Sequence, residues 1–204
     1  MLLYDVPKIA PNPRRVRIYL AEKGISVPTK TVDLMKREQK SPDYLALYPP
    51  GQVPSLVIDD GRVIGESIAI CRYFEALHPE PPLFGNDPVS IAETDMWLRR
   101  VEMTLMMPVG QVWVNCHPLT AKIVPHQYTE FGEANRPRAF DAMARFDQTL
   151  SDRPFLAGEH YSIADIVMLT TIDFASFIGL PMPDTLPHLA DWHRRVSERP
   201  SAAA

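Results

Sequence analysis

The 204-residue sequence predicts an α+β first domain followed by an all-α helical domain, and three observations carry that expectation. Up to about residue 78, apolar residues alternate between strand-like runs and helix-like spacing. Asp59-Asp60-Gly61 separates Ser55–Ile58 from Arg62–Ile64, and an Asp-Gly pair between apolar runs signals a hairpin. Four prolines fall between Pro79 and Pro88, and beyond them the periodicity is helical only.

In chain order, Leu2-Leu3-Tyr4 is a short strand. Val16, Tyr19 and Leu20 then recur at helical spacing until Gly24, a natural helix end. Val27–Val32 is rich in β-branched residues and makes a second strand, Pro42–Leu47 a short helix, and the Asp-Gly turn joins an antiparallel third and fourth strand. From Ser67, the residues Ile70, Tyr73, Phe74 and Leu77 mark one face of a helix. The order β-α-β-α-β-β-α is that of a thioredoxin-like domain, expected over residues 1–78. Residues 79–88 are expected to form a linker and 89–204 a helical domain. There, Leu98, Val101 and Leu105, then Ala139, Met143, Phe146 and Leu150, then Leu189, Trp192 and Val196 mark helix faces. The stretch Ile163–Ile178 is apolar all round and predicts a central buried helix.

Composition excludes several functions. A formal net charge of −4 gives no basic footprint for nucleic acid. No uncharged run reaches membrane length, and charge arrives within the first five residues, unlike a secretory leader. Two cysteines, Cys71 and Cys116, form neither a disulfide framework nor a metal cluster. These features predict a soluble, cytoplasmic protein without metal.

Three places in the first domain carry candidate chemistry. Pro11-Asn12-Pro13-Arg14 leads into the first helix; Asn12 suits an N-cap, and the same helix terminus favours an anion, thiolate included. Gln52-Val53-Pro54 precedes the third strand; a cis bond there would free the Val53 backbone to pair with an extended peptide. At Glu66-Ser67, Ser67 suits a helix cap, and the pair also suits a zwitterion, with carboxylate on Ser67 and the helix end and ammonium on Glu66. A thiol, a peptide backbone and an amino-acid end are all present in glutathione.

Ala10–Ile18, Gly51–Leu56, Asp59–Gly61 and Gly65–Ile70 resemble the motifs of glutathione S-transferases, and the likeness spans nearly the whole chain. The resemblance implies a cis Val53–Pro54 bond, Val53 on the cysteinyl moiety, Glu66 and Ser67 on the γ-glutamyl end, and Gln39 and Lys40 on the glycyl carboxylate. It also implies a homodimer with glutathione and a hydrophobic electrophile as partners. Ser162-Ile163-Ala164-Asp165 is similar to the family's second domain and reads as a capping box that serves folding.

The catalytic corner departs from the family. Ala10 stands where the serine-type enzymes carry their hydroxyl, and neither Ser nor Cys lies between Tyr4 and Val16. Asn12 matches the asparagine-type transferases, in which the amide hydrogen-bonds sulfur. His117 is the second candidate, by similarity to atypical members that hold a water with a histidine, and Tyr4 is a minor third. Trp113, Met106 and Met107 suit either a bundle core or a pocket for the hydrophobic substrate. The expected activity is conjugation of glutathione thiolate to hydrophobic electrophiles; glutathione-dependent disulfide reduction and a non-catalytic glutathione-binding scaffold are the alternatives.

Overall fold

Leu2–Asp5 (β1), Thr29–Thr31 (β2), Ser55–Val57 (β3) and Val63–Gly65 (β4) form one sheet in the order β2-β1-β3-β4. The structure, a computed structural model, describes residues 1–6 and 10–204. Leu3 and Asp5 are buried while Leu2 and Tyr4 are half-buried, the alternation of a central strand with unequal faces. β1 pairs parallel with β2 and antiparallel with β3, which pairs antiparallel with β4. A parallel pair needs a crossover, supplied here by α1 (Pro11–Glu22). β2 is shorter than Val27–Val32 because Pro28 has no N–H for the ladder, although its carbonyl accepts from the Leu3 N–H at 2.9 Å.

α1 buries Val16, Tyr19 and Leu20, and it ends in a Schellman motif. Gly24 sits at φ +64°, its N–H bonds the Ala21 carbonyl, and the Ile25 N–H bonds the Leu20 carbonyl. α2 (Pro42–Leu47) is capped by Ser41, whose hydroxyl accepts from the Tyr44 N–H at 3.3 Å. α3 (Ser67–Leu77) packs on α1 through buried Ile70, Cys71 and Phe74, whereas Leu77, in the last turn, is about half exposed.

The compact units are Met1–Pro82 with Pro200–Ala204, and Leu83–Arg199. These bounds differ from 1–78, 79–88 and 89–204 in two places. Leu83 and Phe84, inside the proline-rich stretch, are buried in the second unit, where the Leu83 carbonyl accepts from the Ile163 N–H at 2.9 Å. The final residues form a short 3-10 helix in the first unit: Arg14 donates to the Ala202 carbonyl at 3.1 Å, and Ser201 pairs with Glu22.

In the second unit, α4 (Pro88–Val101) passes through a π-helical turn, Glu102–Met106, into α5 (Met107–Cys116). Pro108 has no N–H for the Thr104 carbonyl, and the wider turn accommodates it, with the Met107 N–H reaching back to Glu102. α6 (Thr129–Thr149), α7 (Ile163–Phe177) and α8 (Pro187–Ser197) complete the unit. Every residue of α7 from Ile163 to Ile172 is buried. Among the described residues no helix is long and apolar enough to cross a membrane.

Asp165 ties α7 to its surroundings. It is 0% exposed and accepts from the Leu156 N–H at 3.0 Å, the Ser162 N–H at 3.0 Å, the Ser162 hydroxyl at 2.9 Å and the Trp192 indole N–H at 3.0 Å. The Ser162 contact is one half of a capping box. Asp165→Ala strands several buried donors, each costing about 1–3 kcal/mol. Urea unfolding is expected to show a loss of about 3–5 kcal/mol, in the range for breaking a buried polar network; an unchanged midpoint would remove Asp165 from the folding role.

Candidate functional site

The N-terminus of α1 begins two residues earlier than an Asn12 cap requires. Pro11 takes the first helical position, where its fixed φ and missing N–H cost nothing, so Ala10 is the cap and contributes no side-chain bond. Asn12 therefore lies inside the first turn, where its Oδ1 accepts from Arg15 Nη1 at 2.6 Å. The amide NH2 is left as its outward donor. Pro11 and Pro13 lack N–H groups, so Asn12 carries the one backbone donor among the first three helical residues, alongside the positive end of the helix dipole.

The segment before β3 is held from behind. The Tyr44 hydroxyl donates to the Gln52 carbonyl at 2.7 Å and shares a 2.9 Å hydrogen bond with Ser55 Oγ, bracketing Val53 and Pro54. The Val53–Pro54 bond is cis. Among the described residues neither the N–H nor the C=O of Val53 has a backbone partner, so both are available to an extended ligand backbone.

Beyond β4, Glu66 adopts φ +61° and ψ 120°. A non-glycine residue at positive φ costs about 1–3 kcal/mol and is retained mainly where the surrounding structure requires it. Glu66 is the cap residue of α3 without a side-chain cap bond, so Ser67 is the first helical residue rather than its cap. Ser67 is buried. Within the first unit α2 has its side-chain cap, while α1 and α3 do not.

Asn12, Gln39, Val53, Glu66 and Ser67 line one cavity of about 400 Å³. Glu66 carries the one formal charge among its described lining residues. The Gln39 side-chain oxygen is buried without a hydrogen-bond partner among the described residues. Lys40 is not brought to the cavity wall; its ammonium donates to the Pro50 carbonyl at 3.0 Å. The arrangement presents donors for an anion at α3, a carboxylate for a cation, an unpaired backbone edge and an amide donor.

Tyr48 also lines the cavity and was not identified from the sequence. Its hydroxyl is so close to Gly65 that a Cβ there would lie 1.8 Å from it. Burial first, and the Glu66 carboxylate second, push its pKa upward, keeping it protonated as a donor. The available signal was the glycine directly before Glu66-Ser67.

Tyr4 lines a different cavity, of about 360 Å³, with its ring 5.4 Å from that of Tyr44 and 5.4 Å from the Lys30 ammonium. His117 belongs to the second unit, just past α5. Its ring lies tilted at 4.5 Å from that of Trp113 and stacked at 6.0 Å from that of Phe177, and its Nδ1 accepts from the Leu119 N–H at 3.2 Å. Trp113 also meets Phe174 at 5.2 Å, while Met107 is exposed and Met106 half-buried. Among the described residues no group of three or more His, Cys, Asp or Glu side chains is placed to hold a metal.

Residues 9–77 match the family model "Glutathione S-transferase, N-terminal domain", and residues 115–200 match "Glutathione S-transferase, C-terminal domain". Glutathione S-transferase 2 of Saccharomyces cerevisiae is 37% identical over 98% of this chain and 87% of its own length. The crystal structure of Gtt2 from the same yeast superposes with a TM-score of 0.93 at 37% identity, covering 100% of this chain and 99% of that one. A maleylacetoacetate isomerase of Pseudomonas aeruginosa is 29% identical over 92% of this chain and 85% of its own.

The Tyr48–Gly65 approach has a measurable consequence. Gly65→Ala is expected to destabilise the protein by about 1–3 kcal/mol through overpacking, and Tyr48→Ala added to it is expected to recover part of that loss. Urea unfolding of both single variants and the double variant checks this; strictly additive effects would show that the two residues do not share the space.

Proposed function

The chain belongs to the glutathione S-transferase family, and we propose that it conjugates the glutathione thiolate to hydrophobic electrophiles. The observation that carries this is the uncapped start of α3, with Glu66 and Ser67, opening on the same cavity as the unpaired Val53 backbone and the Asn12 amide. The γ-glutamyl carboxylate takes the α3 N–H groups and the Ser67 hydroxyl, and its ammonium takes Glu66. The cysteinyl backbone pairs with Val53, and the glycyl end lies toward Gln39. Asn12 Nδ2 donates to sulfur.

In the reaction the thiol proton leaves to water, a carbon–sulfur bond forms from the sulfur lone pair, and the leaving group departs with the electron pair of its bond to carbon. The protein contributes thiolate stabilisation and positioning. The exposed Met107 and Phe177 of the second unit support a hydrophobic co-substrate. Both cysteines are free, which supports a reducing, cytoplasmic compartment. The family supports a homodimer. So does a stripe of exposed Val89, Met96 and Met103 at seven-residue spacing along α4 and the π turn, an apolar face that a partner would cover.

Four measurements test the proposal. Ser67→Ala and Glu66→Gln are each expected to weaken glutathione binding about tenfold or more in calorimetry, the loss of a charge-assisted hydrogen bond; unchanged affinities would move the ligand elsewhere. Turnover of an aryl halide is expected to rise with pH through an apparent pKa below the ordinary thiol value of about 8.5, and to exceed disulfide reduction and double-bond isomerisation. Retention on immobilised glutathione without any turnover would favour the scaffold. Met96→Glu with Met103→Glu is expected to give a monomer in sedimentation velocity, whereas an unchanged dimer would place the interface on another face.

A further inference from the structure

Arg15 is 2% exposed, a rare state for a guanidinium and a costly one without hydrogen-bond partners. Its neighbours on α1 have evident fastening roles: Arg14 reaches the Ala202 carbonyl, and Arg17 reaches the Asp5 carboxylate at 2.9 Å and the Val6 carbonyl at 2.8 Å. Arg15 reaches the first turn of its own helix, where Nη1 donates to Asn12 Oδ1 at 2.6 Å, the short distance of a charge-assisted bond.

That bond decides which end of the amide meets a ligand. A carboxamide has nearly the same shape with its oxygen and nitrogen exchanged, but opposite hydrogen-bonding character. A guanidinium has donors only, so it accepts the oxygen alone as its neighbour and turns Nδ2 away from itself. The other orientation would set Nδ2–H against guanidinium N–H and present oxygen, which repels a thiolate. Asn12 is exposed on the cavity wall, so in the absence of Arg15 little would hold its side chain.

We propose that Arg15 is a positioning residue that locks the Asn12 amide with its NH2 toward the sulfur of the bound thiol, making the two residues one thiolate-stabilising unit. The proposal rests on the glutathione reading above. The buried cation adds a favourable field for the thiolate, and the same charge already acts on the buried Cys71 thiol of α3.

The test is an ultraviolet difference titration of the thiol of bound glutathione, paired with the affinity for S-methylglutathione, which has no thiol to ionise. Variants are Arg15→Lys, which keeps charge without the planar fork; Arg15→Met, which removes both; Asn12→Ala; Asn12→Asp, which keeps an acceptor for Arg15 but has no amide donor; and Asn12→Ala with Arg15→Lys. Arg15→Lys is expected to raise the apparent pKa by about one unit, a tenfold change in the thiol ionisation constant, and Arg15→Met by more. Asn12→Asp is expected to raise it as well. The double variant is expected to match Asn12→Ala alone, and S-methylglutathione affinity is expected to stay within about twofold throughout, under 0.5 kcal/mol.

If Arg15→Met fails to fold, Arg15→Lys and the double variant carry the test. A pKa unmoved by Arg15→Lys, or additive shifts in the double variant, overturns the positioning role. S-methylglutathione affinity falling in parallel with the pKa shift overturns it too, because Arg15 would then be supporting the cavity as a whole. A wild-type protein that binds neither ligand overturns the glutathione reading and this role with it.

Discussion

Backbone N–H and C=O groups removed from water require partners, and the first unit leaves an unusual set of them open in one place. The sheet ladder takes up β1 to β4, Ser41 caps α2, and Gly24 closes the end of α1. Val53 and the first turn of α3 are left over, both on the wall of the cavity. Their position depends on ordinary stabilising contacts: the Tyr44 hydroxyl fastens the chain on either side of Val53, and the Tyr48 ring lies against Gly65 directly before Glu66. A ligand with its own backbone and charged end would complete bonds that the fold leaves open, beside the side chains of Asn12, Glu66 and Ser67 on the same wall.

The second unit is organised around a different device. Asp165 gathers four donors from three parts of the chain around the start of α7, and the hydrophobic run behind it is buried through Ile172. Among the described residues Asp165 meets four donors and no acceptor, surroundings that suit an ionised carboxylate. Burial raises the pKa of this group above the ordinary carboxylate value, and the four donors oppose that rise.

Most of the fold was legible because its signals are local. The Asp-Gly turn, Gly24 and the apolar stripes of α1 and α3 act within a few residues of themselves, and the structure realises them. Pro28 shortening β2 was legible in principle, since a proline cannot donate to a ladder. The exchange of Asn12 for Ala10 at the cap turned on Pro11, whose preference for the first helical position outweighs the capping tendency of the next residue. What could not be read depends on tertiary contacts. Arg15 is one of three arginines on α1 with no local mark of its burial, Tyr48 lies seventeen residues from the glycine it presses against, and the last residues return to the first unit across the whole helical segment. For the site, Val53, Glu66 and Ser67 were recognisable as a pattern, whereas the partner that orients Asn12 required the structure.

The two prolines in the first turn of α1 bear on which anions this helix end can hold. Oxyanions such as phosphate and carboxylate are small, hard and strongly hydrated, and a helix terminus usually replaces their water with several converging N–H groups. Pro11 and Pro13 remove two of those groups but leave the dipole almost intact. A sulfur anion is larger and more polarisable and gives up its hydration more readily, so a positive field with a single amide donor suits it. On the proposed glutathione reading, the proline pair acts as a filter by softness: it keeps the attraction a thiolate needs and withholds the donors with which oxyanions would compete for the same position.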